Sequence, residues 1–298
     1  MNESALKNLQ KLFGADAEGF KATDPEFDEY FGNFALDEVR NHKTLDGRAL
    51  DDRTVLMTTL SVLIGCQGID AYKAILPAAL KNGVTPVEAK EIVYQAVDYC
   101  GLGRVLPFLD ATNDALKAAG VELPLAPQST TTPETRLQAG IDKQVTLFGE
   151  RMRDFTTRGT EDRRSINVFL AGNCFGDVYT RGGLTDAERE MCTFCYLYAQ
   201  GGCQSQATSH AVANLRCGND RQFLIEVVLQ NVPYLGYPRS LNGLAAIDEA
   251  TERFAGMAAT ESFAKAEKKA KAAHEKAAKD EEHDKKGKKG KKAKKGKR

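Results

Sequence analysis

Two stretches of the sequence, 135 residues apart, decide the fold. Residues 75–115 read ILPAALKNGVTPVEAKEIVYQAVDYCGLGRVLPFLDATNDA, and residues 210–250 read HAVANLRCGNDRQFLIEVVLQNVPYLGYPRSLNGLAAIDEA. Aligned without a gap, they share 14 identities in 41 positions. In both, a glycine ends one helical pattern, an apolar stripe follows, and a second glycine precedes the next helix. The chain is therefore predicted to be a tandem duplication of one helical unit.

The remaining sequence continues this pattern. Apolar residues recur at intervals of three and four, and strand-like alternation is scarce, so we predict an all-α protein. Three prolines among serines and threonines indicate a linker between the repeats. We expect two tandem helical repeats and a Lys-rich C-terminal tail, with the first repeat at 1–120, the linker at 121–137, the second repeat at 138–255 and the tail at 256–298.

Local signals place the helices of the second repeat. Thr185 or Asp186 can cap a helix that Gly201 and Gly202 break. From these signals we expect helices at about residues 186–200, 203–216 and 221–232, and a last one from about 240. The first repeat should follow the same order from Asp51 onward.

The charges are balanced overall but unevenly distributed. The chain has 41 basic and 41 acidic side chains, yet residues 265–298 alone carry a net charge of +10. The rest of the chain must then carry the opposite charge, so the overall charge says nothing about partners. We expect the tail to be a disordered solubilising segment, with non-specific contact to a polyanion as the alternative.

Cysteine spacing and hydropathy indicate the cellular compartment in which the protein is expected. The seven cysteines have no disulfide-framework spacing, and the sequence begins Met-Asn-Glu-Ser-Ala, without the pattern of a signal peptide. The longest nearly apolar run, Val55 to Cys66, is about half of the roughly 20 residues that a membrane span needs. We therefore expect a cytoplasmic protein with reduced thiols and no membrane contact.

Three chemically useful side chains lie along one predicted helix face. Cys203, Gln206 and His210 are spaced at i, i+3 and i+7, and Glu190 should lie opposite His210 across an antiparallel helix pair. A carboxylate can orient an imidazole for proton transfer, and a helix N-terminus favours a thiolate. The alternative is a structural histidine and a small core cysteine.

These residues carry a family resemblance. The run from Phe175 to Glu190, the segment Gly202-Cys203-Gln-Ser-Gln206 with His210, and the run Tyr234 to Pro238 resemble the carboxymuconolactone decarboxylases and their alkylhydroperoxidase (AhpD) relatives. The family's acidic residue, cysteine and histidine correspond to Glu190, Cys203 and His210. The resemblance implies an AhpD-like helical fold, and a ring assembly that would here be a trimer of duplicated chains.

The sequence departs from the peroxidase pattern at one cysteine. The peroxidase branch carries Cys-x-x-Cys, and Gln206 stands at the second cysteine position, as in the decarboxylase branch. Cys217 is too distant along the same helix to form a disulfide with Cys203, whereas Cys195 across the hairpin stays open. We interpret Cys192 and Cys195, which also spell Cys-x-x-Cys, as core packing.

The first repeat lacks these groups. At the same offset, the four site positions are occupied by Val55, Gly68, Ala71 and Ile75. The nearby Cys66, Asp70 and Lys73 are interpreted as a solvated helix face with a buried thiol. The first repeat is thus expected to be a scaffold that contributes packing surface and one wall of the second repeat's pocket.

The resemblance implies a cofactor-free decarboxylation of a small lactone acid such as 4-carboxymuconolactone. We assign His210 to proton transfer, Glu190 to orienting it, and Cys203 to polarising or lining the pocket, with no metal and no cofactor. Gln206 and Arg239 are candidate substrate-binding residues, although an arginine after a helix break is as often a cap. The alternatives are a thiol peroxidase and a non-catalytic scaffold.

Overall fold

A computed structural model of the chain describes residues 1–257, and helices are the only regular secondary structure in that range. The predicted all-α class is confirmed. The chain divides into two units, Met1–Thr251 and Glu252–Arg298, and in the second unit only residues 252–257 are described, which are helical. The expectations for the Lys-rich tail concern residues outside the described range.

Thirteen α-helices, numbered here in chain order, make up the first unit. They are α1 (Glu3–Phe13), α2 (Pro25–Asn33), α3 (Asp52–Gly65), α4 (Ile69–Lys81), α5 (Pro86–Cys100), α6 (Leu102–Ala118), α7 (Arg136–Phe148), α8 (Ser165–Phe169), α9 (Asp186–Gln200), α10 (Gln204–Arg216), α11 (Arg221–Gln230), α12 (Val232–Leu235) and α13 (237–251). Between residues 1 and 257, no helix is long and apolar enough to cross a bilayer.

The offset of 135 residues holds throughout the helical framework. It relates α3 to α9, α4 to α10, α5 to the pair α11 and α12, and α6 to α13. Gly101 and its counterpart Gly236 have φ angles of 79° and 82°, a left-handed conformation that glycine adopts without strain. The tandem duplication predicted from the sequence is confirmed.

The duplicated unit begins N-terminal to the aligned stretches 75–115 and 210–250. Helix α1 coincides with residues 138–148 of α7 at the same offset, and Phe13 and Phe148 are the last residues of the two helices. Each repeat also carries a π-helical segment that continues its next helix, Phe34–Val39 after α2 and Leu170–Val178 after α8. Sequence identity between these parts is too low to reveal the match.

The predicted helix ends in the second repeat are partly right. Helix α9 spans the expected residues and starts with a capping box formed by Thr185 and Glu188. The second helix begins at Gln204, because Cys203 has the non-helical φ and ψ of −134° and 46°. The expected third helix is divided at Asn231 into α11 and α12, and the last helix begins at residue 237, not near 240.

The two repeats exchange contacts in a reciprocal way. Helices α3 and α9 pack closely, since a Cβ on Gly65 would lie 2.8 Å from the carbonyl oxygen of Tyr196. The side chain of Gln95 on α5 donates to Thr193 on α9 at 2.8 Å, and Asn231 of the second repeat donates to Thr58 on α3 at 3.0 Å. The repeats therefore share one interior.

A buried ion pair between Arg189 on α9 and Glu91 on α5 joins the two repeats. Arg189 is 0% exposed and Glu91 on α5 is 1% exposed, and Arg189 Nη2 lies 3.1 Å from Glu91 Oε2. Arg189 also donates to Gln95 Oε1 and to the carbonyl oxygens of Arg181 and Gly182. These partners replace water at Nη1 and Nη2, whereas Arg189 Nε is buried without a hydrogen-bond partner among residues 1–257.

We expect removal of the Arg189 charge to destabilise the fold strongly. Arg189→Met should lower the free energy of unfolding by about 3 kcal/mol, because a buried Glu91 carboxylate loses its most buried partner. The double variant with Glu91→Gln should cost less than the sum of the single changes, as urea denaturation would measure. Strictly additive costs would contradict the pairing.

Helix α7 crosses the second π-helical segment at a glycine. A Cβ on Gly140 would lie 1.8 Å from the carbonyl oxygen of Ala171. We expect Gly140→Ala to destabilise the protein by about 3 kcal/mol through this overlap, despite the higher helix propensity of alanine. Thermal unfolding would measure the effect. The control is Gly103→Ala on α6, where a Cβ meets nothing within 4 Å and no loss is expected.

Candidate functional site

The hairpin of α9 and α10 positions the candidate site. Asn214, one turn after His210, donates to the carbonyl oxygens of Glu190 and His210, both at 2.8 Å. Asn219, beyond the end of α10, donates to Asn214 Oδ1 and to the carbonyl oxygen of Ala187. These bonds from two amides fix the register of the two helices.

Glu190 and His210 are in direct contact across this hairpin. His210 Nδ1 lies 2.7 Å from Glu190 Oε2, and the Glu190 side chain is 0% exposed. Glu190 Oε1 is buried and has no hydrogen-bond partner within residues 1–257. The sequence predicted that these two residues face each other, and the structure brings them together.

The contact determines which imidazole nitrogen faces other partners. A carboxylate accepts but does not donate, so His210 Nδ1–H donates to Glu190. In the neutral ring the lone pair is then on Nε2. His210 Nε2 is therefore the nitrogen that can take or give a proton.

Aromatic rings enclose the imidazole from both repeats. Tyr99 on α5 and Phe148 at the end of α7 lie edge-to-face with the His210 ring, at centroid distances of 5.3 and 5.5 Å. Tyr99 belongs to the first repeat, as expected for a repeat that contributes one wall. The rings lower the local polarity, which strengthens the interaction between the imidazole and the carboxylate.

A chain of hydroxyl groups runs behind Tyr99. The Tyr99 hydroxyl donates to Tyr179 at 3.0 Å, and the Tyr179 hydroxyl lies 2.7 Å from Thr193 Oγ1. Cys174 Sγ lies 3.5 Å from the Tyr99 hydroxyl. Burial raises the pKa of Tyr99, Tyr179 and Cys174 well above their usual values, and the Glu190 charge adds to the shift. All three groups are therefore neutral near pH 7.

Asp98, the neighbour of Tyr99 on α5, is also perturbed. Burial raises the pKa of this carboxyl to about 6, and its hydrogen bond with Cys174 partly opposes that shift. Asp98 Oδ2 is buried without a hydrogen-bond partner in the described part of the chain. The first repeat thus places an acid with a near-neutral pKa behind the aromatic wall.

Cys203 is placed differently from the expectation. It precedes α10, and its thiol donates to the carbonyl oxygens of Leu197 at 3.2 Å and Gly201 at 3.6 Å, at the end of α9. Burial raises the pKa of the Cys203 thiol, against a lowering by Gln200. Burial thus opposes the thiolate that the helix N-terminus was expected to favour.

The two candidate substrate-binding residues lie at the surface. Gln206 is exposed on the first turn of α10, where its Oε1 accepts from Ser205. Arg239 is exposed and donates to the carbonyl oxygen of Ala199, so its side chain caps the C-terminal end of α9. Neither residue shares the hydrogen bond between Glu190 and His210, and their role in binding stays a prediction.

Two further thiols of the second repeat, those of Cys192 and Cys195, are packing groups. Cys192 and Cys195 are 0% exposed, which confirms their interpretation as core residues. Burial raises the pKa of Cys192 to about 12 and that of Cys195 well above its usual value. All seven cysteines are free. Within residues 1–257, no group of three or more His, Cys, Asp or Glu side chains is arranged to hold a metal ion.

Sequence reasoning missed the aromatic and hydroxyl groups around His210. Tyr99 was visible only as one of the identities between repeats, since it aligns with Tyr234. Phe148 and Tyr179 lie outside the aligned stretches. The contacts of Tyr99 and Phe148 with His210 depend on the packing of α5 and α7 against the hairpin, which no local pattern encodes.

A comparison with known protein families also finds the two repeats. The model of the carboxymuconolactone decarboxylase family matches residues 25–114 and again residues 169–249. The last residues of the two matches, 114 and 249, are 135 residues apart, which is the offset between the repeats. No curated protein is significantly similar to the chain. Because the two matches cover more than half of its length, the chain belongs to the carboxymuconolactone decarboxylase family.

Proposed function

We propose that the second repeat catalyses cofactor-free proton transfer on a small lactone or carboxylic acid, with decarboxylation of a carboxymuconolactone-like acid as the reaction. The observation that carries the proposal is the buried 2.7 Å contact between Glu190 and His210, enclosed by rings from both repeats. Membership of the decarboxylase family supports the reaction class.

The steps follow from the two ring nitrogens. Loss of CO₂ breaks a carbon–carbon bond and leaves its electron pair on the substrate as an enolate. The imidazolium of His210 gives its Nε2 proton to carbon, and the ring regains a proton from solvent. Glu190 holds Nδ1–H throughout and stabilises the charged ring. Cys203 lines the end of the site, and Gln206 and Arg239 contact the substrate at its entrance.

The state of Cys203 favours proton transfer over thiol peroxidation. A peroxidatic cysteine must be a thiolate, and burial raises the pKa of this thiol. Gln206 also stands where a second cysteine of the motif would be. A non-catalytic scaffold is the remaining alternative, and turnover assays of the site variants distinguish it from an enzyme.

Turnover should depend on both members of the pair. His210→Gln is expected to lower kcat/KM by at least about 10²-fold, because no group then returns the proton to carbon. Glu190→Gln should have a smaller effect in the same direction. Release of CO₂ from a panel of lactone acids would measure turnover in the full chain.

The first repeat offers a matched control for this assay. His42 Nδ1 also lies 2.7 Å from a buried carboxylate, that of Glu226, but the His42 side chain is 46% exposed. His42→Gln should leave turnover within about twofold. If no acid in the panel is turned over, or His210→Gln behaves like His42→Gln, the proposal is wrong.

Thiol reactivity gives an independent prediction. At pH 7, Cys203 should alkylate with iodoacetamide more slowly than free cysteine, and its rate should keep rising above pH 9 as the thiol ionises. Mass spectrometry of the labelled peptide would follow the rate, with Cys203→Ser identifying the peak. Alkylation at pH 7 faster than that of free cysteine would instead support a thiol peroxidase.

A further inference from the structure

A cavity of about 490 Å³ is formed mainly by the first repeat, with Pro233 and Tyr234 contributed by the second repeat. Six parts of the chain form its walls: α1, the loop 14–24, α2, the π-helical segment after α2, α4 and α12. Most of the lining side chains are apolar, among them Phe13, Phe31, Leu36, Ile75 and Tyr234.

This cavity occupies the position that the His210 site has in the second repeat. At the offset of 135 residues, Ile75 corresponds to His210 and Phe13 corresponds to Phe148. Tyr234 corresponds to Tyr99, and each of these tyrosines comes from the other repeat. The duplication has therefore preserved the enclosure at both positions.

The first repeat carries smaller and less polar residues than the second repeat at two positions of this enclosure. Ala71 and Ala74, on α4, line the cavity where α10 carries Gln206 and Ser209. Both alanines are exposed, so the space beside them is open to an entering molecule. Small apolar side chains along this helix face leave room for a ligand.

The charges at the cavity select against anions. Asp28 is buried, and its Oδ1 accepts the backbone N–H of Phe20 at 2.8 Å, which anchors the loop 14–24. Glu18 lies exposed at the rim. Asp28 Oδ2 lies 3.8 Å from the N-terminal ammonium of Met1, which also lines the cavity and offsets the charge of this carboxylate. The carboxylate of Glu18 then has no lysine or arginine side chain among the lining residues to balance it, which disfavours a carboxylate ligand.

We propose that the first repeat binds a small, uncharged, apolar molecule in this cavity. Its volume is within the range of small-molecule sites, and its walls match an apolar ligand. The duplicated unit then carries two sites of different chemistry, one for proton transfer on an acid and one for retention of a neutral hydrophobic compound. The proposal does not depend on the reaction at His210.

Two related fluorescent probes test the proposal on the full chain. N-phenyl-1-naphthylamine is neutral, and 8-anilinonaphthalene-1-sulfonate is its sulfonated counterpart. The neutral probe should bind at one site with micromolar affinity, and the sulfonate at least tenfold more weakly. Fluorescence titration with a stoichiometry measurement would give both constants.

Variants locate the bound probe. Ala74→Phe fills the cavity and Ala74→Asp charges it, so each should weaken binding of the neutral probe at least tenfold. Because Ala74 is exposed, the Asp variant is expected to fold even if the Phe variant does not. The matched control is Ser209→Phe at the equivalent position of the second repeat, which should change the affinity by less than twofold.

Several outcomes would overturn the proposal. These are no binding of the neutral probe, equal or tighter binding of the sulfonate, or unchanged binding in folded Ala74→Asp. Loss of binding in Ser209→Phe alone would place the probe at the other site. Turnover in the second repeat can fail while these results hold, so the two proposals are tested separately.

Discussion

The buried ion pair between Arg189 and Glu91 is the constraint on which the candidate site depends. A guanidinium that is 0% exposed is tolerable only where fixed partners replace its water, and those partners come from α5 and from the loop before α9. Such a pair contributes little net stability, but it permits one arrangement of α9. Glu190, the next residue, is rotated by about 100° around the helix and is thereby directed to α10.

The same interface makes the site in the second repeat dependent on the first repeat. Gln95 and Glu91, which hold α9, and Tyr99, which encloses His210, all lie on α5 of the first repeat. The second repeat alone would lack the partner of Arg189 and one wall of its site. Val55 and Ile75, which stand where the second repeat has Glu190 and His210, take no part in these contacts, so the first repeat supports α9 and the wall at His210 without such a pair of its own.

The sequence predicted those features that depend on local chemistry. Glycines that end helices, a helix cap at Thr185 or Asp186 and helical periodicity place most helices, and the spacing around Gly201 places Glu190 opposite His210. Features that depend on solvation were not predictable. The pKa of Cys203 follows from its burial at the end of α9, and the capping role of Arg239 follows from a carbonyl group 40 residues away.

The contrast between the two repeats bears on whether the pair at His210 has a function. A buried carboxylate costs free energy, and Glu190 Oε1 has no hydrogen-bond partner among the residues described. The first repeat shows the alternative for the same fold, with valine and isoleucine at these positions. Apolar replacement of a buried polar pair is usually neutral or stabilising. A scaffold without chemistry would gain from this replacement in the second repeat as well, and the retained pair therefore supports a catalytic role there.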